Sequence, residues 1–404
     1  ATPALATKGN ITFATIDLSE AEYRRYYAGF ANRSLWPLFH YRTGLVAYAR
    51  DEYEGYRATN RKFAEALVPL LQPGDLIWIH DYHMIPMARA LRELGVRHRI
   101  GFFLHIPFPP RSVFDILPPA RELVGDLAAF DVVGFQTQED RDNFQGCARR
   151  YLAGDELTHA VAASVAIPVG IDAGPFASLA KIQSLTPETR RLEESLVGRR
   201  LIIGADRLDY SKGLPQRFEA YAELLADHAE YREKISFLQV APRSREDVTE
   251  YRDLKKSLDR LAGSINGKYA EFDWVPLRYM THGLSRKVLA GFFRLSAIGL
   301  VTPLRDGMNL VAMEYVAAQD AANPGVLVLS RFAGAAESLD AALIVNPFDP
   351  SEMAEAIHQA LTMSKDERQA RWRSLMTRIE HDSAASWCRR FLARLSDTKL
   401  RAAS

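Results

Sequence analysis

Two successive series of short apolar runs, separated by longer amphipathic stretches, constrain the fold of this chain more than any other feature. The first series is Asp75 to His80 (DLIWIH), Arg99 to His105 (RIGFFLH), Asp131 to Phe135 (DVVGF) and Val165 to Val169 (VAIPV). The second is Leu201 to Ala205, Ile235 to Val240, Ala297 to Val301, Gly325 to Leu329 and Ala342 to Val345. Near-continuous apolar strands are those of parallel sheets covered on both faces, and their alternation with helical patterns (Pro86 to Leu94 is one) predicts α/β architecture. Between the series, Gln183 to Arg200 is polar and contains Pro187, which predicts helix plus connection and a boundary near residues 172–185. The expectation is two Rossmann-like doubly wound domains facing a central cleft, residues 1–180 and 181–380. An Arg-rich helical stretch, Glu367 to Leu400, follows; residues 381–404 are expected to form a helix that packs back on the first domain. Ligands of such sheets bind beyond the carboxyl ends of the strands.

Composition removes several function classes. Lys and Arg total 51 against 50 Asp and Glu, a net charge of +1 over 404 residues. That balance gives no field for gripping nucleic acid or an anionic membrane. No apolar run approaches the roughly 20 residues that span a bilayer, and Ala1 to Lys8 lacks the order of a signal peptide. Two distant cysteines, Cys147 and Cys388, offer neither a disulfide framework nor a thiolate metal site. A cytoplasmic enzyme is expected.

Polar residues cluster just after the apolar strands. His80-Asp81-Tyr82-His83 follows DLIWI; Asp81 suits a sugar hydroxyl and equally a helix cap. His80 and His83, three apart with no third ligand in view, are weak evidence for a metal, and none is expected. His105 ends the next strand, level with Asp81. In the second half, Asp206-Arg207-Leu208-Asp209-Tyr210-Ser211-Lys212-Gly213 brings Arg207 and Lys212 into one loop. Two cations there fit a diphosphate leaving group, while salt bridges to Asp206 and Asp209 are the plainer alternative. Thr302 to Leu310 (TPLRDGMNL) joins a strand to a helix containing Glu314. Gly307 permits close backbone approach, the helix start offers N–H groups to an anion, and Glu314 suits a ribose.

The runs IWIHDYHMIP, GFFLHIPFP, RLDYSKGLP, INGKY and TPLRDGMNLVAMEYVAAQ, in this order, resemble the trehalose-6-phosphate synthases, UDP-forming retaining glycosyltransferases of GT-B fold. The resemblance covers Lys8 to about Arg390. It implies a donor site in which Arg207 and Lys212 bind the diphosphate of UDP-glucose and Glu314 holds the ribose. Gly307, Met308, Asn309, Leu310 and Val311 complete that site, and Asp306 and His105 contact the donor glucose. Of these, Arg207, Lys212, His105 and Asp306 carry the catalytic roles. It implies an acceptor site for glucose 6-phosphate made by Tyr27, Trp36, Asp81 and Tyr82, with Arg245 reaching the phosphate. Members of the family begin with a strand and a glycine-rich loop. This chain opens on ATPALATKGNITF, which resembles the part after that loop, so the first strand–loop–helix unit is expected to be missing from the sequence as given.

The implied reaction is retaining transfer of glucose to the anomeric hydroxyl of glucose 6-phosphate, giving α,α-trehalose 6-phosphate and UDP, without a cofactor. Retaining glycosidases use two carboxylates about 5 Å apart, one a nucleophile. No nucleophile is evident here, and the family resemblance implies front-face substitution instead. The alternatives are a transferase with another nucleotide donor or a cyclitol acceptor, and a silent sugar-phosphate sensor. A homo-oligomer is compatible with the sequence.

Overall fold

The computed structural model describes residues 2–244 and 248–398, and Arg245 lies outside them. The chain divides into two compact units, residues 1–168 with 388–404, and residues 169–387.

The first unit opens on an antiparallel hairpin, β1 (Ala4–Lys8) and β2 (Ile11–Thr15), exposed along its whole length. Helical segments Glu20–Tyr23, Arg24–Leu35 and Trp36–Phe39 follow one another with a kink at Gly29 (φ −75°, ψ −105°). A Cβ at Gly29 would lie 2.8 Å from the Arg24 carbonyl and from the Glu52 side chain, so the close approach of the next helix, Arg50–Leu67, requires glycine. Four parallel strands then pair in chain order: β3 (Leu76–His80), β4 (Arg99–Phe103), β5 (Val132–Phe135) and β6 (Ser164–Ala166). Helix Ala384–Ser396 returns to this sheet through Phe391, which stacks on Trp78 at 4.5 Å and meets Phe103 edge-on. Gly101 and Gly134 make the room: a Cβ on either would come within 2.9 Å of the Phe391 ring.

The second unit is a six-stranded parallel sheet: β7 (Arg200–Ala205), β8 (Ile235–Val240), β9 (Leu277–Met280), β10 (Ile298–Val301), β11 (Val326–Ser330) and β12 (Leu343–Val345). Its order is β12-β11-β10-β7-β8-β9, which is the doubly wound 3-2-1-4-5-6 arrangement read from the other edge. Alternate residues of the strands feed opposite faces. Ile202 and Phe237 pack with Phe218, Tyr221 and Ile357 on one side. Leu201, Ile203 and Leu238 pack with Phe176, Phe293 and Val316 on the other. The order reverses between β7 and β10, and a doubly wound sheet opens its crevice at that reversal.

Some elements differ from expectation. The second unit begins at Val169, not residue 181, because helix Ala173–Gln183 buries Phe176 and Ala180 in that unit's core. The Arg-rich carboxyl-terminal stretch forms two helices, Lys365–His381 and Ala384–Ser396, and their break at Asp382 falls beside residue 381, where the last helix was expected to begin. Strand β9 was not anticipated; its sequence LRYM is half-buried at a sheet edge and lacks an apolar run. Among the described residues no helix is long and apolar enough to cross a membrane.

Candidate active site

In the second unit the site grows from the two strands at the reversal. The loop after β7 carries Arg207, exposed, and then the turn Tyr210–Lys212. Asp209 is fully buried and fixes that turn by accepting from the Ser211 N–H at 2.9 Å and the Tyr251 hydroxyl at 3.0 Å. Gly213 follows at φ +66°; a Cβ there would sit 2.3 Å from the Thr302 carbonyl, so the close passage of the two loops demands glycine. The Leu304 N–H then donates to the Ser211 carbonyl at 2.7 Å, tying the loop after β10 to the loop after β7.

This juxtaposition places the Lys212 ammonium 2.5 Å from Asp306 Oδ2. Burial works against the lysine's charge, but Asp306, Asp206 and Asp209 outweigh it and raise its pKa above the usual lysine value. Asp306 is held in turn: Asn309 Nδ2 donates to Oδ2 at 2.9 Å and the Gly307 N–H donates to Oδ1 at 3.1 Å. Asn309, at φ +76°, is the residue from which helix Leu310–Ala318 starts. Leu310 is exposed and Val311 half-buried at that start, whereas Met308 is buried. Glu314, one turn into the helix, accepts from Arg286 Nε at 2.8 Å. Beneath the loop, buried Arg217 donates to Asp206 (2.7 Å), Gln239 (2.8 Å) and Thr302 (3.0 Å). Residues Arg207, Lys212, Asp306 to Val311 and Glu314 thus gather at the carboxyl ends of β7 and β10.

The first unit places its polar residues at the equivalent strand ends. Asp81 adopts φ +72° and ψ 165°, a strained conformation for a residue bearing a Cβ, and such outliers cluster at functional sites. Its carboxylate accepts from the Tyr82 N–H at 3.1 Å and from the His105 N–H at 3.3 Å, so it caps the following turn and also ties two strand ends together. Tyr82 is buried and its hydroxyl donates to Asn32 Oδ1 at 2.9 Å. Trp36, also buried, lies 5.7 Å from the Tyr82 ring, and Tyr27 stacks on His83 at 5.3 Å. Tyr27, Trp36, Asp81 and Tyr82 therefore form one aromatic-walled group. Asn32 and His83 complete it; nothing in the sequence singled out Asn32, which lies in an ordinary helical pattern.

His80 and His105 face each other, Nδ1 to Nε2, at 3.0 Å. Burial, with the His80 ring second, pulls the His105 pKa down to about 4, and burial also lowers His80. Both rings are neutral at pH 7, and one donates an N–H to the other. An unfolded histidine titrates near 6.5. Between that value and about 4 the unfolded chain binds the proton that folded His105 refuses, so stability falls as pH falls through this window. We expect the loss to reach roughly 2–3 kcal/mol. Denaturant melts from pH 7 to 4 check it: His105→Gln should show a visibly shallower pH dependence than the parent chain.

The chain matches glycosyltransferase family 20 over residues 3–397. It is 47% identical to a trehalose-6-phosphate synthase of Sinorhizobium fredii over 392 residues, 95% of this chain and 84% of the relative. Among solved structures, an α,α-trehalose-phosphate synthase (UDP-forming) from Burkholderia xenovorans, in complex with glucose-6-phosphate, superposes with a TM-score of 0.94 at 46% identity, covering 98% of this chain and 90% of the other. A trehalose-6-phosphate structure from E. coli, bound with UDP-2-fluoro glucose, gives 0.95 at 45% identity, covering 99% and 90%. A doubly wound second unit with cations and a helix start at its strand reversal, together with these matches, leads to one conclusion: the chain belongs to glycosyltransferase family 20, an enzyme family of two Rossmann-like domains.

Proposed function

We propose that this chain transfers glucose from UDP-glucose to the anomeric hydroxyl of glucose 6-phosphate, with retention, releasing α,α-trehalose 6-phosphate and UDP. The observation that carries the reading is the convergence of Arg207, Lys212, Asp306 and the start of helix Leu310–Ala318 at one strand reversal. A leaving diphosphate needs concentrated positive charge fixed in place before the bond breaks, and preorganised donors supply it without reorganisation. The names of the relatives supply the sugars.

In this scheme the diphosphate sits against Arg207, Lys212 and the N–H groups around Met308, Asn309, Leu310 and Val311, where Gly307 leaves room for it. Glu314 accepts the ribose hydroxyls, exchanging its contact with Arg286. Asp306 and His105 hold the donor glucose, His105 as a neutral imidazole. Tyr27, Trp36, Asp81 and Tyr82 take the acceptor sugar, and Arg245, outside the described residues, takes its phosphate. The bond from glucose C1 to the β-phosphate oxygen breaks while the acceptor oxygen bonds to C1 on the same face. The acceptor proton passes to the departing phosphate oxygen. Arg207 and Lys212 neutralise the charge that a metal ion neutralises in other transferases. The unpaired thiols of Cys147 and Cys388 suit a cytoplasmic setting.

The test is UDP release from UDP-glucose with and without glucose 6-phosphate. The proposal expects release that depends on the sugar phosphate, with a non-reducing phosphorylated disaccharide as product. Binding of glucose 6-phosphate with no UDP release would overturn it.

A further inference from the structure

The second unit carries a group of metal-ligating side chains that the transfer reaction does not use. Helix Leu214–Asp227 ends at His228, the turn Ala229–Tyr231 presents Glu230, and helix Pro350–Thr362 presents His358. One ring nitrogen from each histidine and one Glu230 carboxylate oxygen lie within 4.8 Å of one another, and among the described residues these form the one such group of three. We propose that His228, Glu230 and His358 bind a single divalent ion of the imidazole-preferring kind, Zn²⁺ first among them.

Three observations carry this. The ligand set is the first: two imidazoles and a carboxylate form a typical zinc shell, with a fourth position left to water. Ligands at about 2.1 Å around a tetrahedral ion stand about 3.4 Å apart, so this group must contract, and because an imidazole lone pair lies in its ring plane, the His228 ring must also turn out of its stack on His358 to face the ion. Glu230 is 58% and His228 27% exposed along the side chain, which gives them freedom to do so.

The second is orientation. The hydroxyl of buried Tyr231 lies 2.7 Å from His358 Nδ1. With Nδ1–H donated to that oxygen, Nε2 becomes the ligating atom. A partner on the far nitrogen is the arrangement that fixes ring and tautomer in metal sites. On the other side, His228 Nδ1 lies 3.1 Å from Glu230 Oε1.

The third is placement. The two imidazoles stack at 4.1 Å, 13° from parallel, between the end of one helix and the third turn of another. An ion there clips together two elements that already share the core around Phe218, Tyr221 and Ile357. Binding only the folded form, it stabilises that unit by mass action.

The experiment uses the full chain, free of any polyhistidine tag and stripped with chelator, titrated calorimetrically with zinc sulfate. We expect one equivalent to bind and the melting temperature to rise. His358→Ala and His228→Ala should each weaken binding at least tenfold, and Tyr231→Phe, which removes only the orienting hydroxyl, about tenfold. Glu230→Gln, on the surface, cannot unfold the chain and should also weaken binding. UDP release should be unaltered in all four variants. Zinc affinity equal in the parent chain, His358→Ala and Glu230→Gln would overturn the proposal.

Discussion

Lys212→Ala is expected to lower turnover of sugar transfer by about 10²–10³, with a much smaller effect on the melting temperature. The magnitude is that of removing one preorganised donor from a developing anion, about 3–4 kcal/mol. Lys212 fits that role because its charge is secured before any ligand arrives. Asp306 lies 2.5 Å away, and the carboxylates of Asp306, Asp206 and Asp209 keep the ammonium protonated against the penalty of burial. Stability should suffer little because Asp306 keeps two other donors, Asn309 Nδ2 and the Gly307 N–H. Arg207→Ala should show a loss of the same order. Steady-state kinetics with UDP-glucose and glucose 6-phosphate, alongside thermal melts, separate the two effects. Turnover within threefold of the parent in both variants would remove these cations from the reaction.

Much of this site was readable because the chemistry and the strand ends coincide. An apolar run such as LIIGA followed at once by a loop holding Arg207 and Lys212 marks both the sheet and its mouth. The loop after β10 reads the same way, down to the helix that carries Glu314. Sequence could not say how the two loops are joined, because the joint is backbone: Leu304 N–H to the Ser211 carbonyl, and Gly213 against the Thr302 carbonyl. Backbone contacts leave no residue-type signature except the glycine. Nor could it separate the two readings of Asp81, since capping a turn and binding a strand neighbour draw on the same carboxylate. Strand β9 escaped because an edge strand that is half-buried needs no apolar run.

The support beneath the donor loop was invisible for a different reason: Arg217 sits in an amphipathic helix where an arginine ordinarily faces water. Here it is 1% exposed and holds Asp206, Gln239 and Thr302, and its guanidinium also reaches the Lys212 carbonyl at 3.3 Å. It therefore connects the ends of β7, β8 and β10 from below, at the level where Lys212 turns toward Asp306. Burial raises the Asp206 pKa, with Arg217 and then Lys212 pulling the other way. Removing the arginine leaves that carboxylate buried without its partner, and breaking one side of a buried ion pair costs about 3–5 kcal/mol. Arg217→Met is accordingly expected to destabilise the chain by that amount in denaturant titrations. Asp206→Leu with Arg217→Met, which removes both charges and keeps apolar volume, should recover much of the loss, because a well-packed apolar pair is often as stable as the ion pair it replaces. The double variant should nonetheless remain impaired in UDP affinity, since the loop that presents Lys212 has lost its anchor. A single variant as stable as the parent would mean that the pair adds no stability. A double variant with normal UDP affinity would show that the loop holds its shape through Asp209, Tyr251 and Gly213 alone.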